Sequence, residues 1–322
     1  MRRVTCQQAQ EETARLPLDA CQRPHKAMHY LQLSYSGSWV SGRLIAVEPA
    51  LLPMAIEAAT SSASALGLQV EDAILLHNSN RIAVRLLPCN VLARIATDRD
   101  RFGADLEVEI ARLLAETDSS LALLEPRVAP GVYERMAFFV TFWTYYEPLP
   151  GEIAATEYAQ ALNKMHAGMR TIADPPVPHF TDRVTEALVV VGDRDRSPDL
   201  AEVDRQFLRE TLEKLTRDII RRGAAEQLLH GEPHPGNLMR TREGFLFMDL
   251  ETCCRGPVEF DVAHAPEEVS EEYPGLDRDL LRDCRVLMLA MVTSWRWDRR
   301  DQLPEGRYRG KEGLKQLRLT VD

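Results

Sequence analysis

From residue 54 onwards the apolar and polar positions fall into recognisable periods. MAIEAATSSASALGL (54–68) has the spacing of a helix with a glycine near its end. AILLHNSNRIAVRLLPCNVLARIA (73–96) reads as strand, polar turn, strand, turn, strand. In the third strand Val91, Ala93 and Ile95 share one face and Leu92, Arg94 and Ala96 the other. ADLEVEIARLLAE (104–116) lines up Leu106, Ile110, Leu113 and Leu114 on one helical face. Another strand region, MAFFVTFWTYYEPLPG (136–151), ends in Pro and Gly. Beyond it the pattern turns helical: ATEYAQALNKMHAGM (155–169) and AEVDRQFLRETLEKLTRDIIRRG (201–223) are amphipathic, and helix resumes from about residue 277.

A β-rich piece, a Pro-Gly hinge and a larger α-rich piece predict two unequal lobes around a cleft. The expected organisation is an extension over 1–53, a first lobe with its hinge over 54–150, and a second lobe over 151–322. Residues 1–53 mix Gln, Ser, Cys and Pro without sustained period. They read either as short strands around the Ser-Gly turns of 31–47 or as an extension without regular structure, and Met54 is an alternative start.

The chain has 322 residues, 45% of them hydrophobic and 27% charged, with a net charge of −10. An acidic chain has little affinity for a phosphate backbone, so nucleic acid is not expected as a partner; a cationic small molecule is compatible. The six cysteines form neither a CxxC pair nor a dense framework, which fits reduced thiols in a cytoplasmic protein. MRRVTCQQAQ has no apolar run behind its charges, and VLMLAMVTSW (286–295) is too short to span a bilayer, so no membrane role is expected.

One stretch resists both periods. LLHGEPHPGNLM (228–239) crowds histidines, an acid, prolines, glycines and an asparagine between apolar runs. His230, Glu232 and His234 do not form a zinc-protease helix, because Gly231, Pro233 and Pro235 forbid it. The PCxxC that a zinc deaminase needs is also missing. Downstream, 238–240 and 244–250 flank turn residues 241–244 and read as a hairpin. Pairing about that turn sets Asn237 and Asp249 nearly opposite each other. Two hard oxygen ligands suit Mg²⁺, which completes its shell with water and phosphate. Glu232, on the rigid loop, would stand beside it. An acid, an asparagine and a second acid around Mg²⁺ are the parts of a phosphoryl-transfer site.

HGEPHPGN followed by FLFMDLE resembles the signature of the aminoglycoside phosphotransferase and choline kinase-like superfamily, relatives of the protein kinases. The family pattern is HGD-x-HPGN and then a strand ending in D-[FW]-E. The resemblance extends over about residues 54–300 in element order and is sharpest over 228–263. It implies an α+β, bilobal protein kinase-like fold, with a small β-rich N-lobe and a larger, mainly helical C-lobe. It also implies ATP and Mg²⁺ as cofactors and a small-molecule hydroxyl as acceptor, an aminoglycoside or amino alcohol being the family's precedent.

Carried over residue by residue, the resemblance makes Glu232 the catalytic base and Asn237 and Asp249 the metal ligands. His230, His234 and Asp261 become supports of the loop. Arg94 stands where the family has its phosphate-gripping Lys, with Glu107 as the acid that orients it and Glu109 as a near competitor. HNSNRIA (77–83) takes the place of the nucleotide-covering loop, and TFWTYYE (141–147) that of a hinge where adenine meets Trp143 and Tyr145, residues that also suit a core. Two departures stand out. Glu232 replaces an Asp, and its extra methylene moves the carboxylate by about 1 Å, a shift that costs on the order of 10²-fold in rate if uncorrected. Arg94 replaces a Lys, keeping the charge and adding a phosphate-binding fork. Together they leave an alternative in view, a nucleotide-binding pseudokinase with a sensing or scaffolding role.

Overall fold

The computed structural model describes residues 46–97 and 101–321. The expectations for the Ser-Gly turns and for most of the N-terminal extension lie outside the described residues. The first helix, α1 (Leu52–Ala65), buries Ala55, Ala58, Ala59 and Ala63, and this alanine face lets its backbone lie close to the sheet below.

That sheet has five antiparallel strands in the order β1-β2-β3-β5-β4: β1 (Val70–Asn78), β2 (Ile82–Pro88), β3 (Val91–Thr97), β4 (Tyr133–Arg135) and β5 (Phe138–Thr144). The strand period sorts its faces. Ile82, Val84 and Leu86 of β2, Val91, Ala93 and Ile95 of β3, and Phe138, Val140 and Phe142 of β5 pack under α1 as one core. Arg94 is therefore turned to the other face, in register with Thr141 of β5. On that side lies α2 (Arg101–Leu114), whose Leu106, Ile110 and Leu114 are buried as its periodicity predicts.

The larger lobe is helical, with α3 (Ala155–Met169), α4 (Phe180–Gly192), α5 (Glu202–Arg222), α6 (Val258–Val262), α7 (Glu267–Glu272), α8 (Arg278–Trp295) and α9 (Gly306–Val321). α8 packs against α4, α5 and α9, around buried Leu208, Leu212, Leu287 and Met291. Two small antiparallel sheets lie on this lobe. One pairs β6 (Glu226–Leu229) with β9 (Cys254–Pro257); the other is the hairpin of β7 (Leu238–Thr241) and β8 (Gly244–Phe247). The kinase-like bilobal expectation and the hairpin are met. The β6–β9 pair and the short helices α6 and α7 are additions to the sequence reading, because four to six residues hold too few periods to announce themselves. Among the described residues, no helix is long and apolar enough to cross a membrane.

Residues 120–125 strap the lobes together. Phe247 donates its amide to the Ser120 carbonyl and accepts from Ala122, both at 2.8 Å. Two residues on, Thr144 donates to Leu123 at 2.9 Å and Glu125 to Phe142 at 3.0 Å. The same strap thus extends both the hairpin and the five-stranded sheet. Phe247, fully buried, lies between Tyr158 and His230, with ring centroids 5.8 and 5.9 Å away. Truncation here opens a cavity at the junction. Phe247→Ala should lower the unfolding free energy by about 3–5 kcal/mol in urea titrations, whereas truncation of exposed Phe102 should change it little.

Candidate active site

The loop that leaves β6 is held by one buried carboxylate. Asp261, on α6, accepts hydrogen bonds from the backbone amides of His230 and Gly231, both at 2.8 Å. Its Oδ2 also lies 2.9 Å from His166 Nε2, and His166 Nδ1 is 2.8 Å from the Tyr273 hydroxyl. Burial would raise the Asp261 pKa, but the hydrogen bond and charge of His166 outweigh it and hold the carboxyl below its usual range. Gly231 has φ +87°, and a Cβ there would sit 1.9 Å from the Thr252 carbonyl oxygen, so only glycine fits. The His230 ring reaches the Met248 carbonyl at 3.0 Å. His234 caps the following turn, accepting from Gly236 at 3.0 Å. Burial lowers the His234 pKa to about 4, so its ring is neutral and able to accept.

Asn237 joins this loop to the hairpin. Its side-chain amide donates to the Glu232 carbonyl at 2.9 Å, which turns its oxygen away from that carbonyl, and its own carbonyl accepts from Met248 at 2.9 Å. The β7–β8 register pairs Leu238 with Phe247. Asn237 therefore lies across from Met248, one residue short of Asp249. Asp249 adopts a left-handed conformation, φ 72° and ψ 66°, a geometry that costs a non-glycine residue of order 1–3 kcal/mol.

Arg94 reaches across from β3 to this point. One guanidinium nitrogen lies 2.7 Å from Asp249 Oδ1 and 3.2 Å from Glu107 Oε1. Glu107 also accepts from the Leu250 amide at 3.3 Å. Glu107, not Glu109, thus meets Arg94; Glu109 pairs on the surface with Arg112 at 2.7 Å. Burial alone would lower the Arg94 pKa, but Asp249, Glu107 and Glu251 outweigh it, so the guanidinium stays charged. Burial would likewise raise Asp249, and Arg94 with Arg81 holds it down. For Glu107 burial wins over Arg94, and the pKa rises.

A second pair stands next to the first. Arg81, in the turn after β1, donates to Glu251 at 2.6 Å, and its Nη1 is buried with no hydrogen-bond partner. Gly103 of α2 makes room for it; a Cβ would come within 2.6 Å of Arg81 Nη2.

Glu232 is also engaged. Its carboxylate forms an ion pair with Arg183 of α4, whose guanidinium carbon lies 5.2 Å from the ring centre of Trp295 on α8. Tyr158 of α3 donates its hydroxyl to the Pro233 carbonyl. His166, Arg183 and Arg81 were all missed in the sequence. His166 carried the clearest signal, a titratable residue on the same helical face as the apolar Leu162, Met165 and Met169.

The hinge expectation needs one correction. Trp143 is 3% exposed, packs in the core of the larger lobe and donates its indole nitrogen to Thr141 at 2.8 Å, so it offers no ring face to a ligand. Tyr145 is half-buried and carries the Arg85 guanidinium 3.9 Å from its ring centre.

Among the described residues no group of three or more His, Cys, Asp or Glu is arranged to hold a metal. The oxygens at hand are those of Asn237 and Asp249, a donor set suited to Mg²⁺, which takes one or two protein ligands and completes its shell with phosphate and water.

Burial and the neighbouring Asp249 push the Glu251 carboxyl up to about 7, despite Arg81. The folded chain therefore keeps a proton that the unfolded chain releases near the ordinary carboxyl value of 4.5, and this group's contribution to stability falls as pH rises from there to about 7. In Glu251→Gln that fall should vanish. The unfolding free energy of the variant minus that of the wild type should climb between pH 5 and 7, whatever constant offset the loss of Arg81's partner adds.

The family model for the phosphotransferase enzyme family matches residues 90–285. No curated protein matches the chain. Among solved structures it resembles the choline kinase LicA from Streptococcus pneumoniae, with 12% identity, TM-score 0.58, and coverage of 81% of this chain and 97% of that one. A spectinomycin phosphotransferase solved with ADP and spectinomycin gives 14% identity, TM-score 0.54 and coverage of 82% and 97%. The GDP complex of aminoglycoside 2'-phosphotransferase-IIIa gives 14% identity, TM-score 0.54 and coverage of 83% and 98%. The structural likenesses establish the fold; the profile match, which spans more than half the sequence, establishes that this chain belongs to the phosphotransferase enzyme family.

Proposed function

We propose that the protein transfers the γ-phosphoryl group of ATP to a hydroxyl of a small molecule, with Mg²⁺ as cofactor. The observation that carries this reading is the convergence of Arg94, Glu107 and Asp249 beside a loop on which Asn237 is bonded to Glu232. Nucleotide binding belongs to the smaller lobe and hinge, residues 54–150, and acceptor binding to residues 151–322. Relatives of the fold solved with ADP, AMP and GDP support a nucleotide donor, and a nucleoside triphosphate donor suits a cytoplasmic enzyme.

In this reading Arg94, kept in place by Glu107, grips the inner phosphates with its fork. Asp249 and the Asn237 amide oxygen hold Mg²⁺, which, when bound, neutralises the charge of the phosphates. Tyr145 is the aromatic of the hinge that remains for the adenine. Glu232 aims the acceptor hydroxyl and accepts its proton as the bond to phosphorus forms in line with the departing ADP. Little covalent work is asked of the protein; positioning and charge neutralisation supply the rate. The Asp261 clamp sets the loop from which Glu232 and Asn237 project.

Asp249→Asn and Asn237→Ala should each lower kcat by about 10²–10³-fold in a coupled ADP-release assay with a competent acceptor, comparable to the loss of a preorganised electrostatic group. Arg94→Ala should raise the KM for ATP, and Arg94→Lys should recover most of the affinity. Saturating ATP with Mg²⁺ should raise the melting temperature, as ligand bound to the folded state must. Absence of that shift would overturn the reading. A shift with no phosphorylated product from any acceptor, unchanged by Glu232→Ala, would point to the pseudokinase alternative.

A further inference from the structure

We propose that the acceptor carries an anionic group, a carboxylate or a phosphate, and that Arg183 and Trp295 receive it. This rests on the reading above, in which the acceptor hydroxyl lies at Glu232.

The side chains around Glu232 do not form a site for a cation. Its carboxylate is already ion-paired with Arg183. Of the buried acids nearby, Asp261 is taken up by the loop amides and His166, and Asp301 is 2.9 Å from Arg296. Burial lowers the Arg296 pKa, and Asp301, with a smaller effect from Glu232, opposes it, so Arg296 as well as Arg183 acts on Glu232. His264 is held near 4 by burial, so it adds no positive charge, and its Nδ1 lies 2.9 Å from the Phe260 carbonyl. Glu186, also felt by Arg183, is exposed on α4. An ammonium group entering here would meet two guanidinium groups and no carboxylate without a partner, a costly arrangement.

Hydrogen-bonding capacity points to an anion. Arg183 Nε and Trp295 Nε1 are both buried with no hydrogen-bond partner. They belong to side chains in contact, the guanidinium carbon 5.2 Å from the indole ring centre, and Trp295 is 2% exposed. Arg183, paired with Glu232, and Trp295, packed on Arg183, thus each hold a buried N–H donor that lacks an acceptor, and a buried donor left unpaired costs free energy. An oxyanion is pure acceptor, the chemistry such donors call for, and the charge on Arg183 strengthens its bond. The longer side chain of Glu232 fits the same picture. Its extra methylene, relative to the family's Asp, extends the carboxylate towards Arg183. The net charge of −10 is spread over the whole chain and does not describe this pocket.

The test uses the full chain with ATP and Mg²⁺ and two matched sets of alcohols. D-glycerate and glycerol 3-phosphate represent the carboxylate and phosphate arms; kanamycin and choline represent cations. Thermal shift in the presence of a non-hydrolysable ATP analogue reads binding, and ADP release reads turnover. An anionic compound should bind and be phosphorylated, and the arm that works identifies the group. Arg183→Gln should raise the KM of that acceptor about 10- to 100-fold, the loss expected for a charge-assisted hydrogen bond, with the KM for ATP unchanged. Arg183→Lys, which keeps the charge, should recover part of it. Binding or turnover of kanamycin or choline with none for either anion would overturn the inference, as would binding by none of the four. An Arg183→Gln defect that falls equally on the KM for ATP would do the same. Intact nucleotide binding in those cases leaves the kinase reading standing, whereas loss of the nucleotide shift itself would sink that reading first.

Discussion

A guanidinium buried away from water must find carboxylates, and the place where Arg94 finds them fixes much of this molecule. One partner, Glu107, comes from the helix behind the sheet; the other, Asp249, comes from the residue just beyond the hairpin on the larger lobe. Removing either would leave charge uncompensated in a poorly hydrated place. The requirement propagates outward. Slipping β3 by one residue would turn Arg94 into the alanine-rich core under α1 and bring Ala93 or Ile95 to the cleft. Rotating α2 by one residue's step, about 100°, would replace Glu107 by apolar Leu106 or Val108.

The cleft has two electrostatic characters within a short stretch of chain. At the hairpin end, the acids Glu107, Asp249 and Glu251 surround Arg81 and Arg94, and in the proposed reading this mixed cluster would seat a divalent cation and a polyphosphate. At the α4–α8 end each acid is matched by an arginine, Glu232 by Arg183 and Asp301 by Arg296. The loop that carries Glu232 and Asn237 runs between the two, held at its start by the clamp of Asp261, His166 and Tyr273. Preorganisation of this kind is what a reaction with little covalent chemistry needs from its protein.

Much of this was readable from the chain, for particular reasons. β3 announced Arg94's direction because its apolar positions alternate strictly, and the hairpin announced itself because its turn residues lie between two apolar runs; its register sets Asn237 across from Met248, the neighbour of Asp249. α3 emerged over the residues its period marked. What escaped detection shares a cause. Arg81, Arg183 and His166 act through partners 170, 49 and 95 residues away along the chain, and no local period encodes such a pairing. Trp143 shows the converse: an aromatic in a hinge-like string suggests a stacking surface, but the strand's alternation puts it inside, with Thr141 as its hydrogen-bond partner.

The strap over residues 120–125 has a consequence for how anything enters. Its bonds to the hairpin and to the sheet are main-chain bonds, and parting them would strip amides and carbonyls of partners that buried backbone cannot do without. Along that seam the halves of the enzyme are welded. The contacts that span the mouth of the cleft are instead side-chain ion pairs, Arg94 with Asp249 and Arg81 with Glu251, whose members, in the proposed reading, an incoming polyphosphate and its counter-ion would re-partner one by one. Loading is then an exchange of charges at a lock of side chains, not a swing of rigid jaws.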